Sequence, residues 1–481
     1  MIFERNYVSF PITDNQTEII KQQMLTWAAP FNICCFLDNH DYKSGTSSLH
    51  SVECLLAAGA AATLKASAGE GLTRLKEWAA TQQDWLFGHF AYDLVTETEP
   101  VHPGAQARTS ADDLSSSHLA PAPLPDPIGF PDLFFFVPDI LIELRAGSIR
   151  IGSFGQDQDS IWQQIGATQP TGAATALPAT DASTELPNSP ATSPPLPIPA
   201  AATAPAFIPR FTRDEYLTTI AALRQHILRG DCYEVNFCQE FFAQPATIDP
   251  LATWRSLGKV SPNPFSAFYR LDNSYLLCAS PERYLKKTGN TLFSQPIKGT
   301  SARDRLDPVI DRALREQLYN SPKDRSENVM VVDLVRNDLS RICVPGSVQV
   351  TELFGVYPFP QVHQMISTVT GQLQPGLHWT DAICSTFPMG SMTGAPKNRV
   401  VGLIAQYERS RRGIFSGAVG YVTPDGDFDF NVVIRSLMYN QENKYLSYQV
   451  GSGITFYSDP AAEFEECLVK AEGIRKALGT L

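Results

Sequence analysis

With 481 residues, 43% of them hydrophobic and 10% aromatic, the chain can build two or three ordinary domains or one large domain with additions. Its net charge of −12 argues against nucleic-acid or anionic-membrane partners, whose phosphates demand a basic face; an anionic substrate would need a metal ion or local donors. The nine cysteines are irregularly spaced and form no CxxC pair, which disfavours a zinc site and fits a reducing compartment. The N-terminal MIFERNYVSF carries early charges and no apolar run reaches membrane-spanning length, so a cytoplasmic protein is expected.

Residues 1–153 alternate apolar and polar runs. The stretches WLFGHFAYDL (85–94) and PDLFFFVPDILIEL (131–144) predict strands, and a Pro/Ser/Ala-rich insert over 98–128 predicts a mobile loop. From 168 to 208 the chain is low in complexity and rich in Ala, Pro and Thr. It cannot bury enough surface to offset its ordering entropy. A disordered linker is therefore expected over 154–208, between an N-terminal subdomain (1–153) and a larger domain (209–481).

In that larger part, FTRDEYLTTIAALRQHILRGD opens on a threonine cap and predicts a helix. CYEVNFCQEFFAQ, SAFYRLDNSYLLCAS, GAVGYVTPDGDFDFNVVIRSLMYN and KYLSYQVGSGITF predict strands. Strands mixed with long helices, without steady βαβ alternation, predict an α+β fold built on antiparallel sheets. YLLCASPERYL (275–285) is an apolar strand followed by a turn that carries Glu282. QPIKGT (295–300) then sets Lys298 where a strand meets a turn. Two readings stay open: a lysine snorkelling to water, or an amine placed to attack a substrate.

Two helices carry acids on apolar stripes. In SPKDRSENVMVVDLVRNDL (321–339), Ser321 caps, Pro322 starts, and Asp324 stands at the capping-box position. Asp324, Glu327, Val331, Leu334 and Asp338 share one face. In DPAAEFEECLVKAEGIRKAL (459–478), Asp459 caps, Pro460 starts, and Glu463, Glu466, Cys467 and Lys470 share a face. A solvated Glu466–Lys470 pair is the plain alternative. Taken together, four acids on inward stripes suggest one cation between two helices, and oxygen-only ligands favour Mg2+.

Several segments offer donors for an anion. Gly451-Ser452-Gly453 lacks the third glycine of a dinucleotide fingerprint, yet its backbone N–H groups can face an anion. FPMGSMTGAPKNR (387–399) is a second small-residue turn leading into a helix. Arg435, at the end of an apolar strand, needs an anionic partner if buried. His363 in FPQVHQMIS is either a satisfied core histidine or a site residue. No GxSxG elbow, zinc motif or P-loop is present.

The motifs PIKGT, ENVMVVDLVRNDL, HQMISTVTG, FPMGSMTGAPK, GAVGY, VVIRS, GSGITFYSDP and EFEECLVKA occur in an order that resembles the chorismate-utilising enzymes over 209–481. GHFAYDL gives a weaker likeness to the family's N-terminal subdomain. The resemblance implies two packed antiparallel sheets flanked by helices, with the active site between them. It implies Mg2+ held by Glu327 and Glu466, with Asp324 and Glu463 in support through water, and gripping the ring carboxylate of chorismate. Arg435, Gly451, Ser452 and Gly453 match residues that hold the enolpyruvyl carboxylate. Gly299 and Thr300 match residues lining the ring, Lys470 lies nearby, and His363 and Ser391 match residues near the C4 hydroxyl.

Anthranilate- and salicylate-forming members usually have alanine where Lys298 stands, whereas aminodeoxychorismate-forming members have lysine. The resemblance therefore implies that Lys298 adds at C2 while the C4 hydroxyl leaves, protonated by Glu282. Ammonia then enters at C4 to give 4-amino-4-deoxychorismate, for p-aminobenzoate and folate synthesis. A dry pocket would lower the lysine to roughly pKa 7–8 and free its lone pair. Isochorismate-forming members use a different lysine as base for water; Glu234 falls at that position here. Phe415 stands where anthranilate-forming members have tyrosine. With no amidotransferase cysteine elbow, a separate glutamine amidotransferase subunit is implied as ammonia source. The N-terminal region and NPFSAF (263–268) match stretches that bind tryptophan in relatives, which makes 1–153 a candidate amino-acid-binding or regulatory subdomain, while a strand-entry turn explains NPFSAF equally well. The competing readings are an anthranilate-forming component and a non-catalytic chorismate or amino-acid sensor.

Overall fold

The computed structural model of the chain describes residues 4–42, 53–99, 124, 126–145, 147–169 and 205–480. The loop expected over 98–128 and the linker expected over 154–208 fall outside the described residues at 100–123, 125 and 170–204. In chain order the first part contains β1 (Asn6–Pro11), α1 (Thr17–Ala28), β2 (Ile33–Asp38), β3 (Cys54–Ala58), β4 (Ala62–Ala66), α2 (Gly71–Ala79), β5 (Leu86–Phe90), α3 (Val95–Thr98), β6 (Leu133–Val137), β7 (Ile140–Arg145), β8 (Ser148–Ser153) and α4 (Gln158–Ala167). There follow β9 (Ile208–Pro209), α5 (Arg213–Leu228), β10 (Glu234–Ala243), α6 (Pro250–Val260), β11 (Phe265–Leu271), β12 (Ser274–Ser280), β13 (Arg283–Thr288), β14 (Thr291–Gln295), β15 (Ile297–Ala302), α7 (Pro308–Asn320) and α8 (Pro322–Ser340). The chain closes with β16 (Gln349–Pro358), β17 (Val362–Gln372), α9 (Trp379–Thr386), β18 (Gly394–Ala395), α10 (Lys397–Tyr407), β19 (Ala418–Val422), β20 (Phe428–Asn431), β21 (Ser436–Asn440), β22 (Tyr445–Ile454) and α11 (Pro460–Ala477).

The expected linker boundary is corrected. Asp157 caps α4 through the Ser160 N–H, and Ile161 and Ile165 are buried. That amphipathic turn spacing supports a helix well past residue 153. The division at 153 also fails as a structural border. One twelve-stranded sheet runs β1-β8-β7-β3-β2-β11-β12-β21-β22-β10-β18, with β9 on β10. A ten-stranded sheet runs β15-β17-β14-β13-β20-β19-β5-β6-β4, with β16 on β17. The pairs β2–β11 and β5–β19 are antiparallel ladders that join the two parts of the chain in both sheets.

An apolar cluster containing Phe87, Phe90, Phe135, Tyr269, Leu276 and Phe430 draws on both sheets. A second covers the first sheet beneath α1, α5, α6, α10 and α11, through residues such as Phe36, Tyr216, Phe237 and Leu446. This double burial explains why a strand such as β6 (LFFFV) reads as a continuous apolar run. Strand alternation places Val235, Phe237 and Phe241 of β10 in the helix-side cluster. Glu234, Asn236 and Cys238 consequently share the opposite face. Among the described residues no helix is long and apolar enough to cross a membrane. All nine cysteines are unpaired, and all but Cys384 are buried.

Candidate active site

Lys298 lies on β15, the edge strand of the second sheet, and reaches β10 of the first. Its Nζ stands 2.5 Å from Glu234 Oε1, with side chains 13% and 3% exposed. Two backbone irregularities make this reach feasible. The register of β15 on β17 slips between Ile297 and Thr300, and Gly299 adopts φ +96°. Such a bulge re-aims the neighbouring side chain, and glycine is the residue that takes this backbone without strain. On the opposite wall, Gly453 of β22 pairs with Asn236 of β10. A Cβ at Gly453 would fall 2.6 Å from Glu234 Oε1 and into Lys298 Nζ, so the ion pair occupies the space a larger residue would fill.

The charges around the amine come from four elements. Burial pulls Lys298 down, but Glu234, Glu327 and Glu466 outweigh it and hold the amine above its ordinary value. The shift runs opposite to the lowered value expected: the ion pair with Glu234 favours the ammonium form. Glu282 is 4% exposed in the turn between β12 and β13. Burial pushes its carboxyl up to about 7, against smaller opposing effects of Ser391, Lys298 and the Ile297 N–H. Ser391 lies beside it, although its Oγ closes no hydrogen bond of ordinary geometry among the described residues. Burial likewise pushes Glu327, on α8, up to about 7, with Lys298 opposing and Glu234 reinforcing the shift.

The helix caps form as the sequence predicts. Ser321 Oγ accepts from the Asp324 N–H, and Asp459 accepts from the Ala461 and Ala462 N–H groups. Asp324 itself packs against Gly299, where an added Cβ would meet its Cβ at 3.0 Å. On α11 the plain i,i+4 pair is present: Lys470 Nζ lies 2.7 Å from Glu466 Oε1, and the Glu466 side chain is 44% exposed. Burial pushes Glu466 up, but Lys470, Lys323 and Lys298 together bring it below its ordinary value. Lys470 also donates to Gly451 O at 2.9 Å. Glu463 is buried beside Tyr216 and Cys467. Arg435 adopts φ +54°, and its guanidinium forms no ion pair among the described residues. Burial lowers it and Glu466 opposes the shift.

Not every expected residue joins this group. Ser452, between the two glycines, points to the other face of β22, where its Oγ lies 3.4 Å from Tyr216 OH. His363 Nε2 pairs with Asp311 Oδ1 of α7 at 2.9 Å, and no hydrogen bond or ion pair ties it to Lys298 or Glu282. Thr300 is exposed. Phe415 is buried among apolar neighbours. One contributor escaped the sequence reading: Asn328 donates to Lys298 O at 3.4 Å and accepts from Ser367 Oγ at 2.6 Å. Its signal was a lone amide inside the run ENVMVVD.

Among the described residues no three His, Cys, Asp or Glu side chains converge as a metal-binding cluster. Mg2+ commonly uses only one or two carboxylates, completing its shell with water and substrate. The donor chemistry fits such an ion, since Glu327 is a carboxylate only 14% exposed whose nearest cation on its own helix, Lys323, is 3.9 Å away. A separate cavity is lined by Asp38, Glu53, Pro264, Phe265, Tyr421 and Asp429, and so includes part of NPFSAF.

The fold and the group together define a two-sheet α+β enzyme whose centre sets a lysine among carboxylates. The chain belongs to the chorismate-binding enzyme family, whose model matches residues 40–476. It is 42% identical over 263 residues to aminodeoxychorismate synthase component 1 of Klebsiella aerogenes, covering 55% of this chain and 57% of that protein. It is 34% identical over 276 residues to the protein of that name from Bacillus subtilis, covering 57% and 58%. The chain thus matches somewhat more than half the length of these curated relatives. Anthranilate synthase component I of Streptococcus pneumoniae superposes with TM-score 0.68 at 24% identity, over 87% of this chain and 91% of that one. The menaquinone-specific isochorismate synthase of Escherichia coli superposes with TM-score 0.69 at 16% identity, over 99% and 95%. These two likenesses concern the fold.

Proposed function

We propose that the protein aminates chorismate at C4, as an aminodeoxychorismate synthase component I, using Lys298 as covalent nucleophile. The observation that carries this reading is the largely sheltered Lys298 amine facing Glu234, with the protonatable Glu282 alongside. Lys298 bonds to C2 as the C4 hydroxyl departs, and Glu282, pushed up to about 7, supplies the proton that makes water the leaving group. Ammonia enters at C4 and expels the lysine. Arg435, without an acidic partner among the described residues, suits a substrate carboxylate. Glu327 and Glu466 would hold Mg2+, with Asp324 and Glu463 in support; when bound, the ion neutralises the ring carboxylate. Ammonia comes from a separate glutamine amidotransferase subunit, in keeping with the "component 1" of the relatives' names. The product feeds p-aminobenzoate and folate synthesis.

The test is purified chain with chorismate, Mg2+ and ammonium, followed by product identification. The expected product is 4-amino-4-deoxychorismate, lost when Mg2+ is chelated. Fluorescent anthranilate with released pyruvate would identify the anthranilate-forming alternative, and absence of turnover would identify a binding protein.

A further inference from the structure

Lys298 cannot attack while it is an ammonium, so the proton has to go somewhere before the bond to C2 forms. The group closest to hand is Glu234. Its Oε1 lies 2.5 Å from Nζ, the carboxyl is buried, and its second oxygen, Oε2, has no hydrogen-bond partner among the described residues. Buried carboxylate oxygens are normally satisfied, so one without a protein partner beside a reactive amine calls for an explanation. The backbone of Glu234 is fixed by pairing with Ala395 of β18, and Gly453 leaves the space in which its carboxyl and Nζ meet. Three other acids face the amine: Glu282 from the β12–β13 turn, Glu327 from α8 and Glu466 from α11. Among the described residues only Glu234 is within ion-pair distance of it.

We propose that Glu234 is a catalytic base dedicated to Lys298, taking its proton as the amine attacks and returning it when the amine leaves. This rests on the reading of Lys298 as nucleophile. The steps balance. The Lys298 ammonium passes one proton to the Glu234 carboxylate, and the neutral amine bonds to C2. The ring double bond shifts, and the C4–O bond breaks with a proton from Glu282, releasing water. Lys298 is then a secondary ammonium, Glu234 is protonated and Glu282 is ionised. Ammonia bonds to C4 and the C2–N bond breaks, so Lys298 leaves as neutral amine. Glu234 re-protonates it, and Glu282 takes one proton from the new C4 ammonium. Both acids end as they began, and the net change is chorismate plus ammonia giving aminodeoxychorismate plus water. Because the proton stays within the pair, a lysine held as ammonium can act without losing a proton to solvent.

The experiment measures covalent capture in the full chain by rapid quench and intact-protein mass spectrometry, with chorismate and Mg2+ but no ammonium. The signal is protein plus one chorismate less one water, absent in Lys298→Ala. In the wild type the capture rate follows the protonation of Glu282 alone and rises about twofold as pH falls from 7 to 6. In Glu234→Gln the lysine must give its proton to solvent. Capture at pH 6 should then be on the order of 100-fold slower and climb with pH. Glu234→Asp, which keeps the charge on a shorter arm, should be slower than wild type with the wild-type pH dependence. A Glu234→Gln profile parallel to wild type overturns the proposal, as does a Glu234→Asp variant with wild-type rate. Should Glu234→Gln fail to fold, the Glu234→Asp rate and profile decide. A wild type that aminates chorismate but never forms the adduct overturns the nucleophile reading itself and takes this proposal with it.

Discussion

Two ion pairs shielded from water touch β10, Glu408–Arg412 through its backbone and Glu234–Lys298 through a side chain, and they are built to opposite ends. Arg412 donates to both oxygens of Glu408 at 2.6 and 2.9 Å, to Met392 O at 2.6 Å, to Asn236 O at 2.9 Å and to Ser416 Oγ at 3.3 Å. Glu408 Oε1 also accepts the Cys238 N–H at 2.8 Å. Every strong donor and acceptor is spoken for, and the pair ties β10 to the segment after α10. Four positions before Cys238, Glu234 and Lys298 make one short contact and leave Oε2 open. A saturated buried pair holds a structure in one arrangement, whereas an unsaturated one keeps bonding capacity for a substrate.

The contrast can be broken at either pair. The largest effect is expected for Lys298→Ala, which should reduce amination on the order of 10³-fold or more while chorismate still binds, as read by turnover alongside equilibrium binding. Glu282→Gln should cost about 10²–10⁴-fold in turnover. Since Glu282 must be protonated to donate, wild-type turnover should fall as pH rises through about 7. The glutamine variant should lose that alkaline limb. Glu408→Gln addresses the saturated pair: it leaves Arg412 without its counter-charge and should lower stability by about 3–5 kcal/mol in urea unfolding. A loss no greater than that of Glu234→Gln would erase the distinction between the pairs. The smallest effect is expected for Gly453→Ala, whose methyl group must push Lys298 and Glu234 apart, at about 1–3 kcal/mol of stability together with slower turnover.

Features written in local chemistry were legible in the sequence. The Thr212, Ser321 and Asp459 caps form as read, because a cap depends on three or four consecutive residues. The β11–β12 hairpin and the strand carrying Gly451–Gly453 were equally plain. Depth was harder. Helical periodicity assigns Glu327 and Glu466 to stripes, but not how far each stripe sinks; Glu327 is buried enough to shift, while Glu466 stays half in water on Lys470. Side was harder still for His363, whose ring turns to Asp311 because α7 packs on that face of β17. Ser452 follows the period-two rule, so the glycines flanking it could have foretold that it faces away from them. The lysine charge was not readable at all, since it depends on a carboxylate 64 positions away in the chain.

The two ladders that join the N-terminal strands to the rest bear on how the protein can be dissected. Residues 205–480 carry every side chain of the lysine group, which makes them look like a portable module. Cut free, they would expose the hydrogen-bonding rims of β11 and β19, which β2 and β5 cover in the whole chain. Bare rims of that kind recruit other chains. Such a fragment should clump in solution rather than report on the chemistry, and only co-production with the first 169 residues would be expected to keep it dispersed.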